Sequence, residues 1–123
     1  AVSDFTVDSQ GQDKISSDTD LTLKLKRAPK IISSVKDINP DIFLVGFKAE
    51  YQVSDEELVE SARRRMEESH ADLMVANDVA VEGAGFGSDQ NEVIILDGDL
   101  WTVPLTSKAE IAKRVLDKII EKL

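Results

Sequence analysis

An α/β fold with a parallel strand pair and a C-terminal β-hairpin is what this sequence predicts, and three observations carry the prediction. Two apolar runs, residues 42–46 and 72–75, read as buried strands. A segment of helical periodicity separates them, so the two strands run parallel as neighbours in a βαβ unit. Asp97-Gly98, between two further strand-like runs, marks a hairpin turn. Both parallel strands stop at polar tips, Phe47-Lys48-Ala49-Glu50 and Ala76-Asn77-Asp78, on one sheet edge. Ligands of open α/β sheets bind beside such tips, so one lined crevice is expected there.

The elements follow in chain order. Ala1-Val2-Ser3-Asp4-Phe5 already reads as strand and carries neither an initiator Met nor a signal segment, so an upstream part is expected to be missing. Residues 9–20 are polar around Lys14-Ile15 and form a loop long enough to suspect function. Leu21, Leu23 and Leu25 alternate with Thr22, Lys24 and Lys26, the pattern of a strand with one buried face. Pro29 suits the first turn of a short helix carrying Ile31, Ile32, Val35 and Ile38, which Asn39-Pro40-Asp41 ends. After the strand 42–47, Ser54-x-x-Glu57 has capping-box spacing, and Leu58, Val59, Ala62 and Met66 then share one face of the crossover helix to about Ser69. Gly83, Gly85 and Gly87 mark a permissive loop after the strand 72–76. Strands 92–96 and 100–105 flank the Asp97-Gly98 turn, the second carrying Trp101. Ser107-x-x-Glu110 caps a last helix whose apolar stripe is Ile111, Val115, Ile119, Ile120 and Leu123.

Composition narrows the function classes. With 41% hydrophobic and 32% charged residues in 123, the chain is globular and of single-domain length. A net charge of −9 repels phosphate polymers unless basic groups cluster, so nucleic acid is not an expected partner. Zero cysteines exclude thiolate metal sites and cysteine nucleophiles and fit a reducing, cytoplasmic setting. No apolar run approaches the ~20 residues of a membrane span. The single His70, at the end of the crossover helix, has no second histidine to share a metal and reads as structural.

In this order and spacing, the runs Ala1-Val2-Ser3-Asp4-Phe5, Lys14-Ile15, Phe43-Leu44-Val45-Gly46-Phe47-Lys48-Ala49-Glu50, Asp72-Leu73-Met74-Val75-Ala76-Asn77-Asp78 and Gly85-Phe86-Gly87-Ser88-Asp89-Gln90-Asn91 resemble the C-terminal part of phosphopantothenoylcysteine synthetase. The resemblance covers nearly the whole chain. It implies a Rossmann-like three-layer sandwich, incomplete because the N-terminal half is missing, with residues 1–123 as one domain. That half holds a glycine-rich turn and an asparagine implicated with the acyl intermediate, so these residues alone are expected to be inactive. The family joins 4'-phosphopantothenate to cysteine in coenzyme A synthesis, often behind a fused flavin-dependent decarboxylase. The implied partners are 4'-phosphopantothenate, cysteine and CTP, with ATP in place of CTP in the eukaryotic type, together with Mg2+ and a homodimer. FMN is implied only where the decarboxylase is fused.

The resemblance also assigns residues, each with an alternative read from the sequence alone. Asp4 is implied beside the nucleotide ribose, or is a solvated turn carboxylate. Lys14 is implied at a phosphate or acyl phosphate oxygen, or is a solvated loop lysine. Ala28-Pro29-Lys30-Ile31 takes the place of an Asn-Pro-Asp-Ile segment whose backbone reaches the cytosine, with Lys30 for an acid as a departure. Phe47 is implied against the nucleotide, or is core. Lys48 is a phosphate candidate, or pairs with Glu50 at the surface. Arg65 aligns with a lysine that reaches the triphosphate, or belongs to a solvated face balancing Asp55, Glu56, Glu57 and Glu60. The next such lysine falls at Ser69, so one phosphate contact is lost, and Lys48 is the substitute considered. Asn77 is implied at a small polar ligand, catalytic together with Lys14, or is a turn residue. The hairpin carrying Trp101 is the expected dimer edge. A non-catalytic nucleotide-binding or dimerisation module is the alternative, and a dinucleotide-binding oxidoreductase a weaker one, since G-x-G-x-x-G is absent.

Overall fold

The computed structural model describes residues 3–8, 18, 20–84 and 87–123. The chain divides into two compact units, Ala1–Ile31 and Ile32–Leu123. In the first, strand β1 (Phe5–Val7) pairs antiparallel with β2 (Leu25–Arg27), Phe5 opposite Arg27 and Val7 opposite Leu25. Backbone bonds from Asp8 to Lys24 and from Ala28 to Asp4, both 2.9 Å, extend the ribbon at its two ends. Of Leu21, Leu23 and Leu25, which alternate in the sequence, Leu25 is the one paired among the described residues, and all three leucines are exposed. Period-two alternation fixes which residues share a face, not whether that face is covered. Lys14, with the rest of residues 9–17, lies outside the described residues.

The second unit is three-layered. A short 3-10 turn, Ile31–Ser34, leads into α1 (Val35–Ile38), later than Pro29 suggested. Strand β3 (Val45–Glu50), helix α2 (Asp55–Ser69) and strand β4 (Leu73–Asp78) form the expected βαβ unit, β3 and β4 being parallel. Strands β5 (Gln90–Leu96) and β6 (Leu100–Ser107) add antiparallel, giving the order β3-β4-β5-β6. Helix α3 (Lys108–Lys122) closes the chain. The run Leu73-Met74-Val75-Ala76 is continuously buried because β4 has neighbours on both edges and helices on both faces. One face packs Met74, Ala76, Ile94 and Leu96 against Leu58 and Ala62 of α2, the other Leu73, Val75, Val93 and Ile95 against Ile111 and Val115 of α3. Burying each large aliphatic of these layers contributes about 2 kcal/mol before the entropy of ordering is counted.

The element ends follow local chemistry. Ser54 Oγ accepts from the Glu57 amide while the Glu57 carboxylate accepts from the Ser54 amide, the complete capping box. At the other end of α2, His70 adopts φ 54°, the left-handed conformation that stops a helix. The hairpin loop spans residues 97–99, with Gly98 at φ 106° and the Asp97 carboxylate accepting from the Asp99 amide at 3.2 Å. The strands run on through their polar tips: Phe47, Lys48, Ala49 and Glu50 pair with Val75, Ala76, Asn77 and Asp78. A polar side chain at a sheet end leaves the backbone ladder free to continue.

Candidate functional site

In the first unit, Asp4 and Ala28-Pro29-Lys30-Ile31 gather at the end of the ribbon where β2 leaves β1. The Ala28 amide donates to the Asp4 carbonyl at 2.9 Å, and the Lys30 ammonium is paired with the Asp4 carboxylate. Lysine at position 30 therefore has a local cause: it faces an acid across the ribbon, where a second acid would repel Asp4. Ile31 is 58% exposed, presenting an apolar surface beside that pair.

In the second unit, register decides which candidates meet. Phe47 and Asn77 come from neighbouring parallel strands, opposite Val75 and Ala49 respectively, and point to the α3 side of the sheet. Both line one cavity of about 420 Å³, whose apolar floor includes Val75, Val93 and Ile111. Asn91 and Lys108 complete its polar rim, the Asn77 amide reaching the Asn91 side-chain oxygen at 3.5 Å. Those two residues escaped the sequence reading. Lys108 sits directly after the Ser107 cap and was absorbed into the helix start, and only the pairing of β4 with β5 brings Asn91 beside Asn77.

Lys48 and Arg65 belong to the opposite face. Lys48 pairs with Glu50 at 2.8 Å, and Glu50 also accepts from the Ser61 hydroxyl of α2 at 2.5 Å. The Lys48 hydrogen bond is the chief cause holding the Glu50 carboxyl below its ordinary range. Arg65 pairs with Glu68 at 2.9 Å, one turn on. Position 69 is closed to any ligand: Ser69 is fully buried, and its hydroxyl donates to the Arg65 carbonyl at 2.7 Å. The loss of a cation there is a packing fact, since a lysine would have no room in the layer between α2 and the sheet.

Asn77 and Asp78 divide their work. While Asn77 faces the cavity, Asp78 accepts from the amides of Gln52, Val53 and Ala80 at 3.0, 3.0 and 2.8 Å. These backbone donors, Ala80 foremost, hold its carboxyl below the ordinary aspartate range, and the chain beyond β3, where Gln52 has φ 54°, is tied down by them. Trp101 on β6 is 44% exposed, its indole donating to Asp97 at 3.3 Å and the Lys118 ammonium lying 3.4 Å from its ring centroid. Pro104 falls where the β5–β6 register shifts, which blunts this edge for pairing with another strand. Among the described residues, no helix is long and apolar enough to cross a membrane and no group of three acidic or histidine side chains is placed to hold a metal.

A family model described as the DNA/pantothenate metabolism flavoprotein C-terminal domain matches residues 1–123. The coenzyme A biosynthesis bifunctional protein CoaBC of Thermococcus kodakarensis is 44% identical over 120 residues, which are 97% of this chain and 29% of the relative. The solved DNA/pantothenate metabolism flavoprotein of Streptococcus pneumoniae superposes with a TM-score of 0.80 at 36% identity, covering 100% of this chain and 61% of that one. The C-terminal domain of a coenzyme A biosynthesis bifunctional protein CoaBC superposes with a TM-score of 0.64 at 33% identity, over 80% of this chain and 46% of that one. The chain thus spans under a third of the length of the curated relatives it matches, and the α/β fold and the resemblance drawn from its motifs agree with all of them.

Proposed function

The chain belongs to the DNA/pantothenate metabolism flavoprotein C-terminal domain family, and from that premise we propose that it is the C-terminal part of a ligase that joins 4'-phosphopantothenate to cysteine in coenzyme A biosynthesis. The observation that carries the reading is the convergence of Phe47 and Asn77, from adjacent parallel strands, on one cavity on the α3 face of the sheet.

In this reading a carboxylate, a poor acyl donor, is activated by CTP as an acyl-cytidylate with release of pyrophosphate, and the cysteine amine then displaces CMP. Both steps place growing negative charge on oxygen, so fixed donors and cations carry most of the catalysis. Lys14 supplies charge at the reacting phosphate oxygen, and Asn77 orients the polar end of the substrate. Asp4 accepts from ribose hydroxyls, residues 28–31 read the base through their backbone, and Phe47 walls the nucleotide. A ligand lying over the ends of β3 and β4 is accessible from both sheet faces, so Lys48 and Arg65 meet the triphosphate from the side opposite Phe47. Mg2+, where bound, would be held by phosphate and water oxygens and would neutralise charge on the triphosphate. FMN belongs to a fused decarboxylase, outside these residues. Lys30, Lys48 and Arg65 each already have an acidic partner, which favours as a second reading a non-catalytic nucleotide-binding or dimerisation module.

Incubating the full-length polypeptide with 4'-phosphopantothenate, cysteine, Mg2+ and either CTP or ATP separates the two. The ligase reading expects pyrophosphate and amide with CTP, and a loss of about 100-fold or more in Lys14→Ala. Pyrophosphate release with neither nucleotide removes it. Sedimentation of the same polypeptide tests the homodimer.

A further inference from the structure

Both ends of the β1–β2 ribbon carry a lysine across from an aspartate, and the two pairs differ. At one end the Lys26 ammonium stands 3.5 Å from the Asp8 carboxylate and 3.5 Å from the Asp8 carbonyl, a loose contact spread over two acceptors. At the other end the Lys30 ammonium donates directly to Asp4 Oδ1. The backbone around that carboxylate is already pinned: the Ala28 amide donates to the Asp4 carbonyl at 2.9 Å, and the Ser3 hydroxyl donates to the Phe5 carbonyl at 2.7 Å. What remains to be fixed at Asp4 is its side chain, which is 65% exposed. An exposed carboxylate turns among its rotamers, and a hydrogen bond to a ligand then costs the entropy of stopping it. Lys30 stops it in advance. A carboxylate offers about four acceptor positions, more than one ammonium takes.

We propose that Lys30 is a positioning residue for ribose recognition: by holding the Asp4 carboxylate in place, it lets Asp4 accept from the sugar hydroxyls of the activating nucleotide at a lower entropic cost. It thereby sets how strongly this chain distinguishes a ribonucleotide from one without those hydroxyls. The proposal rests on the reading above in which a nucleotide engages Asp4. An acid at position 30, as in the segment this one resembles, could not hold Asp4 in this way, so the device belongs to this chain's own sequence. As a staple of the ribbon alone, Lys30 would act as Lys26 does, on every nucleotide alike.

The test titrates the full-length protein, with Mg2+ and by calorimetry, against CTP and 2',3'-dideoxy-CTP and against the corresponding ATP pair. It reads the ratio of the dideoxy to the ribonucleotide dissociation constant for whichever base binds. Losing hydrogen bonds to a charged acceptor is expected to make that ratio about tenfold or more in the unaltered protein. Lys30→Ala is expected to lower it about threefold or more, by weakening the ribonucleotide and leaving the dideoxy analogue nearly unchanged. Lys30→Arg keeps the ratio, since a guanidinium still pairs with Asp4. Lys26→Ala, which removes the other pair of the same ribbon, also keeps it, and in an Asp4→Ala background Lys30→Ala has no further effect. A ratio unmoved by Lys30→Ala, or lowered equally by Lys26→Ala, makes Lys30 a staple and overturns the proposal. A ratio that rises makes Lys30 a competitor of the ribose, and one that Lys30→Ala still lowers without Asp4 bypasses the carboxylate; either result overturns it as well. Failure of both CTP and ATP to bind sinks the nucleotide reading together with the proposal, whereas binding with a ratio indifferent to Lys30 sinks the proposal alone.

Discussion

Asp72 joins three stretches of chain, accepting from the Leu44 amide and from the Lys36 ammonium, each at 2.7 Å. Burial pushes its carboxyl upward, but the Lys36 and Leu44 hydrogen bonds outweigh it and hold the group below the ordinary value of 3.8. The charged form is therefore the stabilising one: its contribution is complete above about pH 4 and fades as pH falls through the folded value. Asp72→Asn is expected to cost about 1–2 kcal/mol near neutrality, since it also strands a largely buried ammonium, and urea midpoints of the two proteins should converge toward pH 2. Gly46 makes a different demand. A Cβ there would lie 2.6 Å from Met74 Cε, inside the layer that α2 covers. Gly46→Ala is expected to destabilise by about 1–3 kcal/mol, read by thermal or urea unfolding, with the flexible thioether of Met74 keeping the cost from rising further.

Both long helices begin on a serine whose hydroxyl accepts from the amide three residues on, Ser54 from Glu57 and Ser107 from Glu110, each at 3.2 Å. Only the first completes the reciprocal box, because the Glu110 carboxylate is drawn to Arg114 at 2.9 Å. Ser54→Ala should accordingly cost about 1 kcal/mol or more and Ser107→Ala less, a ranking that urea denaturation of the two variants checks. Such capping signals, with the periodicity of α2 and α3 and the Asp97-Gly98 turn, made the helices and the hairpin legible because each is written within a few consecutive residues. Register is not. That Phe47 and Lys48 lie on opposite faces follows from strand alternation, but the sharing of a face by Phe47 and Asn77 needs the β3–β4 register and the arrival of Asn91 beside Asn77 the β4–β5 pairing, which no local pattern specifies. Likewise, the family spacing pointed to position 69 as a phosphate contact, and only the packing of α2 shows it to be interior.

The two compact units have unequal means of support. Residues 32–123 own both apolar layers, whereas within residues 1–31 the described pairing is a ribbon of three residues per strand with exposed leucines. A two-stranded ribbon is marginal in water, and a unit of this length falls below the size that usually folds without added constraint. Amides of β1 and β2 are therefore expected to exchange at least about a hundredfold faster than those of β4, whose opening requires both layers to separate. The proposed chemistry gives that weakness a use. Asp4 and residues 28–31 sit on the ribbon, so a nucleotide that engages them binds the ordered ribbon and not the opened one, and adds its binding free energy to the ribbon's closing. CTP with Mg2+ added to the full-length protein should slow β1 and β2 exchange by a larger factor than that of β4, and Asp4→Ala should weaken the response in the ribbon. Unchanged exchange of β1 and β2, or the same slowing with Asp4→Ala as without it, would place the nucleotide elsewhere.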